Sequence, residues 1–258
     1  MFFNFRVLMH SLVFFLILEI ISSEKFFEFL SLNIEKRPFL ALLLFIIFLS
    51  FVFTGASRFG KSWKMTPIPI LFASTAVGLI FFVDSIEKRQ MFSIMISIFY
   101  YFGQIGIYRL SSCKTDQTAR AVIAGVSVAS IFLFYSFFYA IYLNFTFPIW
   151  AMMIVFFIVT TMISFQYMQL VKKNNKEAWK LSLIMGLVMM EISWTAHFWP
   201  FGYLTTGATM LIFYYVFWDL VQSYFLDKLS KRRVIANIVF FGILAGVVIT
   251  SSRWLPVV

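Results

Sequence analysis

Long apolar stretches alternate with short charged segments along the whole chain. An α-helix needs about 20 residues to cross a hydrocarbon core about 30 Å thick, and nine stretches come close to that length. They cover residues 2–22, 38–55, 67–84, 91–109, 120–143, 147–171, 179–198, 201–224 and 234–254. Strands of a membrane barrel would be shorter and would alternate apolar with polar positions. The pattern therefore predicts an all-α, polytopic transmembrane helix bundle of about nine spans, or eight if the first stretch does not cross.

Composition supports the membrane as the main solvent of this chain. Hydrophobic residues make up 62% and charged residues only 12% of the 258 positions, whereas soluble domains hold about 45–50% apolar and about 25% charged residues. So few polar side chains do not cover a water-exposed surface. We therefore expect one integral-membrane helical domain over residues 1–258, with no soluble domain and with the lipid bilayer as its surroundings.

The distribution of basic residues predicts the orientation. If the amino terminus is cytoplasmic, 15 of the 21 basic residues fall in cytoplasmic segments, as the positive-inside rule requires. These residues are Arg6, Arg58, Lys61, Lys64, Arg109, Lys114, Arg120, Lys172, Lys173, Lys176, Lys180, Lys228, Lys231, Arg232 and Arg233. The prediction is a multi-pass protein of the cell membrane with the amino end inside and the carboxyl end outside. Because the net charge of +10 is spread over these short clusters, we expect no nucleic-acid partner.

The first apolar stretch has two interpretations, a removable signal peptide or a retained span. It is longer than the core of a typical signal, and Ser22 and Ser23 do not form an A-x-A-like cleavage site. We therefore predict a retained first span.

Glu191 is the acid that lies deepest within a predicted span, near the middle of the seventh. A charged side chain at the centre of an isolated transmembrane helix costs about 2.5–3.5 kcal/mol on insertion scales. Such a group is expected to face the bundle interior and to be neutralised by protonation or by a partner. Trp194 and Thr195 follow three and four residues later and so share its side of the helix.

His10 is the other deep titratable residue, near the middle of the first span. If the first and seventh spans touch, His10 and Glu191 could form a carboxyl–imidazole pair that relays protons. The alternative is a structural role, in which hydroxyl groups satisfy each residue separately. Both interpretations stay open on the sequence alone.

Two further patterns involve polar and small residues at helical spacing. Gln104 and Tyr108, and likewise Tyr215 and Asp219, are four residues apart, so each pair is a candidate lining of a polar cavity or a source of interhelical hydrogen bonds. Small-xxx-small spacing predicts close helix contacts, within the chain or between chains. The residues with this spacing are Ala121, Gly125 and Ala129 in the fifth span and Gly242 and Gly246 in the ninth.

Motifs that would identify an enzyme or a cofactor site are missing from this sequence. It contains no H-E-x-x-H, no G-x-x-x-x-G-K-[ST], no G-x-S-x-G and no C-x-x-C pattern. Cys113 is the single cysteine, which excludes an intramolecular disulfide and a multi-cysteine zinc site. We therefore assign no catalytic residue and expect no metal and no cofactor.

Three functions compete for this architecture. The first is a non-enzymatic, membrane-embedded interaction or assembly subunit, with a protein partner or a second copy of the chain. The second is a carrier for a small solute or for protons that uses Glu191, although carriers often contain interrupted helices. The third is a membrane-embedded enzyme that modifies lipids, which would need several reactive groups at one depth. The sequence favours the first.

Overall fold

The computed structural model describes residues 4–26, 29, 38–113, 115–171 and 175–251, and in this part of the chain it is all-helical. Nine α-helices of 14 residues or more and one short 3-10 helix, Trp63–Met65, lie in these ranges, and residues 24–26 and 29 are helical as well. The α-helices are α1 Phe5–Ser22, α2 Pro38–Gly60, α3 Pro67–Ile80, α4 Ile86–Ser112, α5 Gln117–Asn144, α6 Ile149–Val171, α7 Asn175–Ala196, α8 Tyr203–Phe225 and α9 Lys231–Ser251.

Each predicted apolar stretch corresponds to one of these helices, and prolines mark several of their beginnings. Pro67 and Pro69 lie in the first turn of α3, where the missing backbone N–H costs little. Pro200 lies shortly before α8. The expected end of the last stretch, residues 252–254, lies outside the described residues.

Six of the described helices are long and apolar enough to cross a membrane: α1, α2, α4, α5, α6 and α8. The third helix differs from its prediction, because it ends at Ile80 instead of continuing to residue 84. Its 14 residues extend for about 21 Å at 1.5 Å per residue. The chain turns after Ile80, although Phe81 to Val83 are apolar, because Ser85 already caps α4 by accepting a hydrogen bond from the Lys88 N–H.

The chain divides into two compact units, Met1–Val126 and Ser127–Val258, with the division inside α5. In the N-terminal unit, α1 and α2 both pack against α4, and α3 packs against α2 and α4. Ser22 and Ser93 join α1 to α4 through hydroxyl groups 2.8 Å apart. The Ser111 hydroxyl donates to the Phe59 carbonyl at 2.8 Å and so attaches the end of α2 to α4.

Asp116 organises the connection between α4 and α5. Its Oδ1 accepts a hydrogen bond from the Ala119 N–H at 3.0 Å, and its Oδ2 lies 2.7 Å from the Arg109 guanidinium at the end of α4. The Ala119 N–H, together with Arg109, holds the pKa of the Asp116 carboxyl below its usual range. One carboxylate thus caps the start of α5 and attaches it to the preceding helix.

In the C-terminal unit, α7 packs closely against α6 and also contacts α8, and α9 packs against α8. The approach of α6 and α7 depends on Gly186, because an added Cβ there would overlap the Thr161 hydroxyl and lie 2.9 Å from the Phe157 carbonyl oxygen. A residue without a side chain lets two backbones meet at this point.

Candidate functional site

Glu191 lies on the exposed side of α7, contrary to the expectation that it would face the bundle interior. The buried side of α7 holds Ala178, Ser182, Met185, Gly186, Met189, Ser193 and Ala196. Glu191 follows Gly186 by five positions, which places the carboxylate about 140° around the helix from the closest contact. Its side chain has no hydrogen-bond or ion-pair partner within the described part of the chain.

The neighbours of Glu191 make this side of α7 an apolar surface with one acid in it. Leu187 and Trp194 are 47% and 48% exposed, and the Trp194 ring contacts Phe198 edge-on. Thr195 is also exposed, but its hydroxyl donates to the Ile192 carbonyl at 2.8 Å. The Thr195 hydroxyl is therefore satisfied within the helix, whereas the Glu191 carboxylate is not.

His10 is half-buried in the N-terminal unit, where three aromatic rings surround it. Its Nε2 lies 3.1 Å from the Tyr100 hydroxyl, and its ring centroid lies 4.1 Å from that of Phe51. Gly55 of α2 permits this position, because a Cβ there would overlap the imidazole. The suggested His10–Glu191 pair would join the two units and stays a prediction.

Gln104 and Tyr108 lie four residues apart on α4 but adjoin different cavities. Gln104 is fully buried beside a cavity of about 10 Å³ that Tyr100 and Val126 also line, which is enough space for one water molecule. Tyr108 is half-buried and lines a much larger cavity at the end of the helix. The two side chains therefore do not form one polar lining.

Tyr215 and Asp219 connect α8 to α9. Asp219 accepts hydrogen bonds from the Arg233 guanidinium at 2.9 Å and from the Asn237 side-chain amide at 2.8 Å, and the Tyr215 ring lies beside Phe240. Arg233 and Asn237 are themselves four residues apart. Sequence reasoning missed this pair of partners, although a polar pair at helical spacing in the first turns of α9 was a usable signal.

The glycines with small-xxx-small spacing in α5 and α9 make no close contact with the described residues of other helices. Gly125, Gly242 and Gly246 have open space where a Cβ would lie, and Ala121 is exposed while Ala129 is half-buried. The glycines at which the described helices do approach closely are others, among them Gly55, Gly186 and Gly207. A contact between chains through these small residues stays a prediction.

Hydroxyl groups supply further polar contacts inside the C-terminal unit, from α5 to α6 and from α5 to α7. The Tyr135 and Thr160 hydroxyls are 2.8 Å apart, and the Tyr139 hydroxyl donates to the Ser193 carbonyl at 2.9 Å. Such hydrogen bonds join helices in an apolar environment. Sequence reasoning did not select these residues, because single hydroxyls within apolar stretches carry no spacing that identifies their partners.

Titratable groups are dispersed in the part of the chain that the structure describes. Within it, no group of three or more His, Cys, Asp or Glu side chains is arranged to hold a metal ion. Cys113 is exposed and free at the end of α4.

One family model matches this chain, over residues 54–251, and its description is "Protein of unknown function (DUF5656)". The match begins near the end of α2 and extends to the end of α9. No curated protein and no solved structure matches the chain.

Proposed function

The chain belongs to the DUF5656 family, and from this premise we propose that it is a non-enzymatic assembly subunit embedded in the cell membrane as a single helical domain. All nine helices cross the bilayer in this proposal, with the amino terminus in the cytoplasm and the carboxyl terminus outside. The six long apolar helices support it. The shorter α3 completes its crossing with the apolar residues that follow Ile80.

The exposed carboxylate of Glu191 is the observation that carries the assembly role. Glu191 lies about 8 Å from the middle of α7, well inside a hydrocarbon core whose half-thickness is about 15 Å. A polar group at this depth is normally directed to a protein partner or to a water-filled cavity. Because the described residues of its own chain provide no partner, a helix of another subunit that offers a hydrogen-bond donor satisfies the Glu191 carboxylate.

The orientation can be measured with Cys113 as a native reporter. A membrane-impermeant maleimide is expected to label Cys113 in inside-out vesicles and not in right-side-out vesicles, because the connection from α4 to α5 is cytoplasmic in this topology. Thr115, whose Oγ1 lies 3.4 Å from the Cys113 sulfur, lowers the pKa of the thiol. A larger thiolate fraction near pH 7 speeds the reaction, so Thr115→Ala should slow it.

The matched control moves the single cysteine to the opposite side. In a Cys113→Ser background, Thr146→Cys places an exposed thiol between α5 and α6, and it should react only in right-side-out vesicles. Labelling of both cysteines from the same side would contradict the proposed topology.

The assembly role predicts a specific protein crosslink on the Glu191 side of α7. A photoreactive amino acid at Leu187, one turn away, should give a protein adduct of one defined mass in native membranes. The same amino acid at Ile98 on α4, which is 51% exposed and similarly apolar, should react with lipid only. Glu191→Leu should abolish the Leu187 adduct, because the partner's polar group would then face an apolar surface.

A stability measurement distinguishes this role from a structural one. The purified Glu191→Leu chain should melt at the same temperature as the wild type or higher, since it loses no contact within the described residues. A marked drop in melting temperature would refute the proposal by showing that Glu191 is satisfied within its own chain. So would pH-dependent solute uptake into reconstituted vesicles that Glu191→Gln abolishes, which is the result expected of a carrier.

A further inference from the structure

A cavity of about 1100 Å³ opens in the N-terminal unit between the beginning of α1 and the end of α2. Both helices pack against α4. The His10 ring contacts the rings of Phe51 and Phe59 and lines the cavity between α1 and α2. The cavity is therefore formed by the arrangement of three helices and does not belong to a single loop.

The charged side chains that the structure describes in the lining of this cavity are all positive. Arg6, Arg58 and Lys61 line it, and its described lining contains no aspartate or glutamate. None of the three basic side chains forms an ion pair with a carboxylate in the described ranges. Because α1 begins at the same place, the positive end of its helix dipole adds to the local potential.

An apolar surface continues from the basic opening along α1. Phe5, Met9 and Val13 line the cavity at four-residue intervals, and they are 63%, 38% and 43% exposed. This spacing places them on one side of the helix, over about 12 Å along the axis. A ligand that fits both regions has an anionic head and a hydrocarbon tail.

We propose that this cavity binds an anionic phospholipid, with the phosphate beside Arg6, Arg58 and Lys61 and an acyl chain along Phe5, Met9 and Val13. Guanidinium and ammonium groups hold phosphate oxygens through charge-assisted hydrogen bonds, and basic pockets at the cytoplasmic ends of membrane helices bind anionic lipid headgroups. The proposal requires membrane embedding. It does not require the assembly role of Glu191, which lies on α7 of the other unit.

Native mass spectrometry of the purified full-length chain tests the proposal. The protein is extracted in a mild detergent and incubated with micelles that contain dioleoyl phosphatidylglycerol or, separately, dioleoyl phosphatidylcholine. We expect one phosphatidylglycerol to stay bound per chain at concentrations at which phosphatidylcholine does not. Equal retention of the two lipids would overturn the proposal, since both carry a phosphate and only the first has a net negative charge. Displacement of phosphatidylglycerol by inorganic phosphate at equal concentration would also overturn it, because the acyl chain would then add nothing to the affinity.

Charge-removing variants test whether the bound lipid occupies this cavity. Arg6→Gln and Arg58→Gln should each weaken phosphatidylglycerol binding about fivefold, as expected for one basic residue at an anionic headgroup, and the double variant should weaken it more than either single change. Arg232→Gln is the matched control, because Arg232 is an exposed arginine at the start of α9 outside the cavity. A loss with Arg232→Gln as large as that with Arg58→Gln would overturn the assignment in favour of general surface attraction.

Lys61 provides a variant in which binding and folding change in different directions. Its backbone φ is 50°, in the left-handed region that favours glycine. Lys61→Gly should therefore maintain or raise the melting temperature while weakening phosphatidylglycerol binding about fivefold. Unchanged binding in this folded variant would remove Lys61 from the site.

Discussion

Replacing Gly186 by leucine is expected to abolish stable folding of the C-terminal unit. The new side chain would overlap the Thr161 hydroxyl, which a rotation could relieve, but it would also lie against the Phe157 carbonyl. That oxygen belongs to the backbone of α6 and moves only with the whole helix. Overpacking of a close-packed interior typically costs about 1–3 kcal/mol and occasionally more, and a leucine between two backbones belongs at the upper end. Fluorescence-detected size exclusion should show aggregated protein in place of the wild-type peak.

Gly125→Leu and Gly242→Leu are the matched controls for this result. They introduce the same side chain into helices at positions where, among the described residues, no atom outside the adjoining stretch of the same helix lies within 4 Å of the new Cβ. Both variants should elute and melt like the wild type. If either one lost folded protein to the same extent as Gly186→Leu, helix propensity and not the approach of α6 and α7 would explain the effect.

The helices could be predicted because charge and proline interrupt an otherwise apolar chain. The stretch predicted at residues 201–224 is the helix Tyr203–Phe225, and the one predicted at 147–171 is Ile149–Val171. The third helix was predicted too long because Phe81, Phe82 and Val83 are as apolar as the residues before them. The hydropathy of such a stretch depends on its composition alone. The position of the turn depends on Ser85, which caps the next helix.

The position of Glu191 within the seventh helix could be predicted from the sequence, whereas the side of the helix that it occupies could not be derived from its charge. The direction of a side chain depends on which surface of α7 meets α6, and small residues decide this. Ser182, Gly186 and Ser193 belong to the buried side of α7, and their spacing was visible in the sequence. The expectation that Glu191 faces inward rested on its charge, which does not determine the packing surface of the helix.

The candidate cavity of the N-terminal unit could not be predicted either. Arg6 and Arg58 are far apart in the sequence, and each alone resembles an ordinary cytoplasmic loop charge. They line one cavity because α1 begins where α2 ends, and both helices pack on α4. Seven of the residues that line the cavity lie outside the family match: Asn4, Phe5, Arg6, Met9, His10, Val13 and Phe51.

Gly55→Ala is expected to destabilise the N-terminal unit through His10. The added methyl group would overlap the imidazole, which must then leave the Tyr100 hydroxyl. The lost hydrogen bond is worth about 0.5–1.5 kcal/mol, and the remaining overlap costs about 1–3 kcal/mol. The melting temperature in detergent should fall clearly below that of the wild type.

The double variant Gly55→Ala/His10→Ala tests this cause directly. Removal of the ring creates the space that the methyl group needs, so the double variant should be more stable than the sum of the two single changes predicts. Residues in direct contact typically show coupling of about 0.5–3 kcal/mol. Gly242→Ala, at a position open to its surroundings, should show no coupling to His10→Ala. If Gly55→Ala and His10→Ala were additive, the glycine would act through the backbone of α2, and the placement of His10 would have to depend on Phe51 and Tyr100 alone.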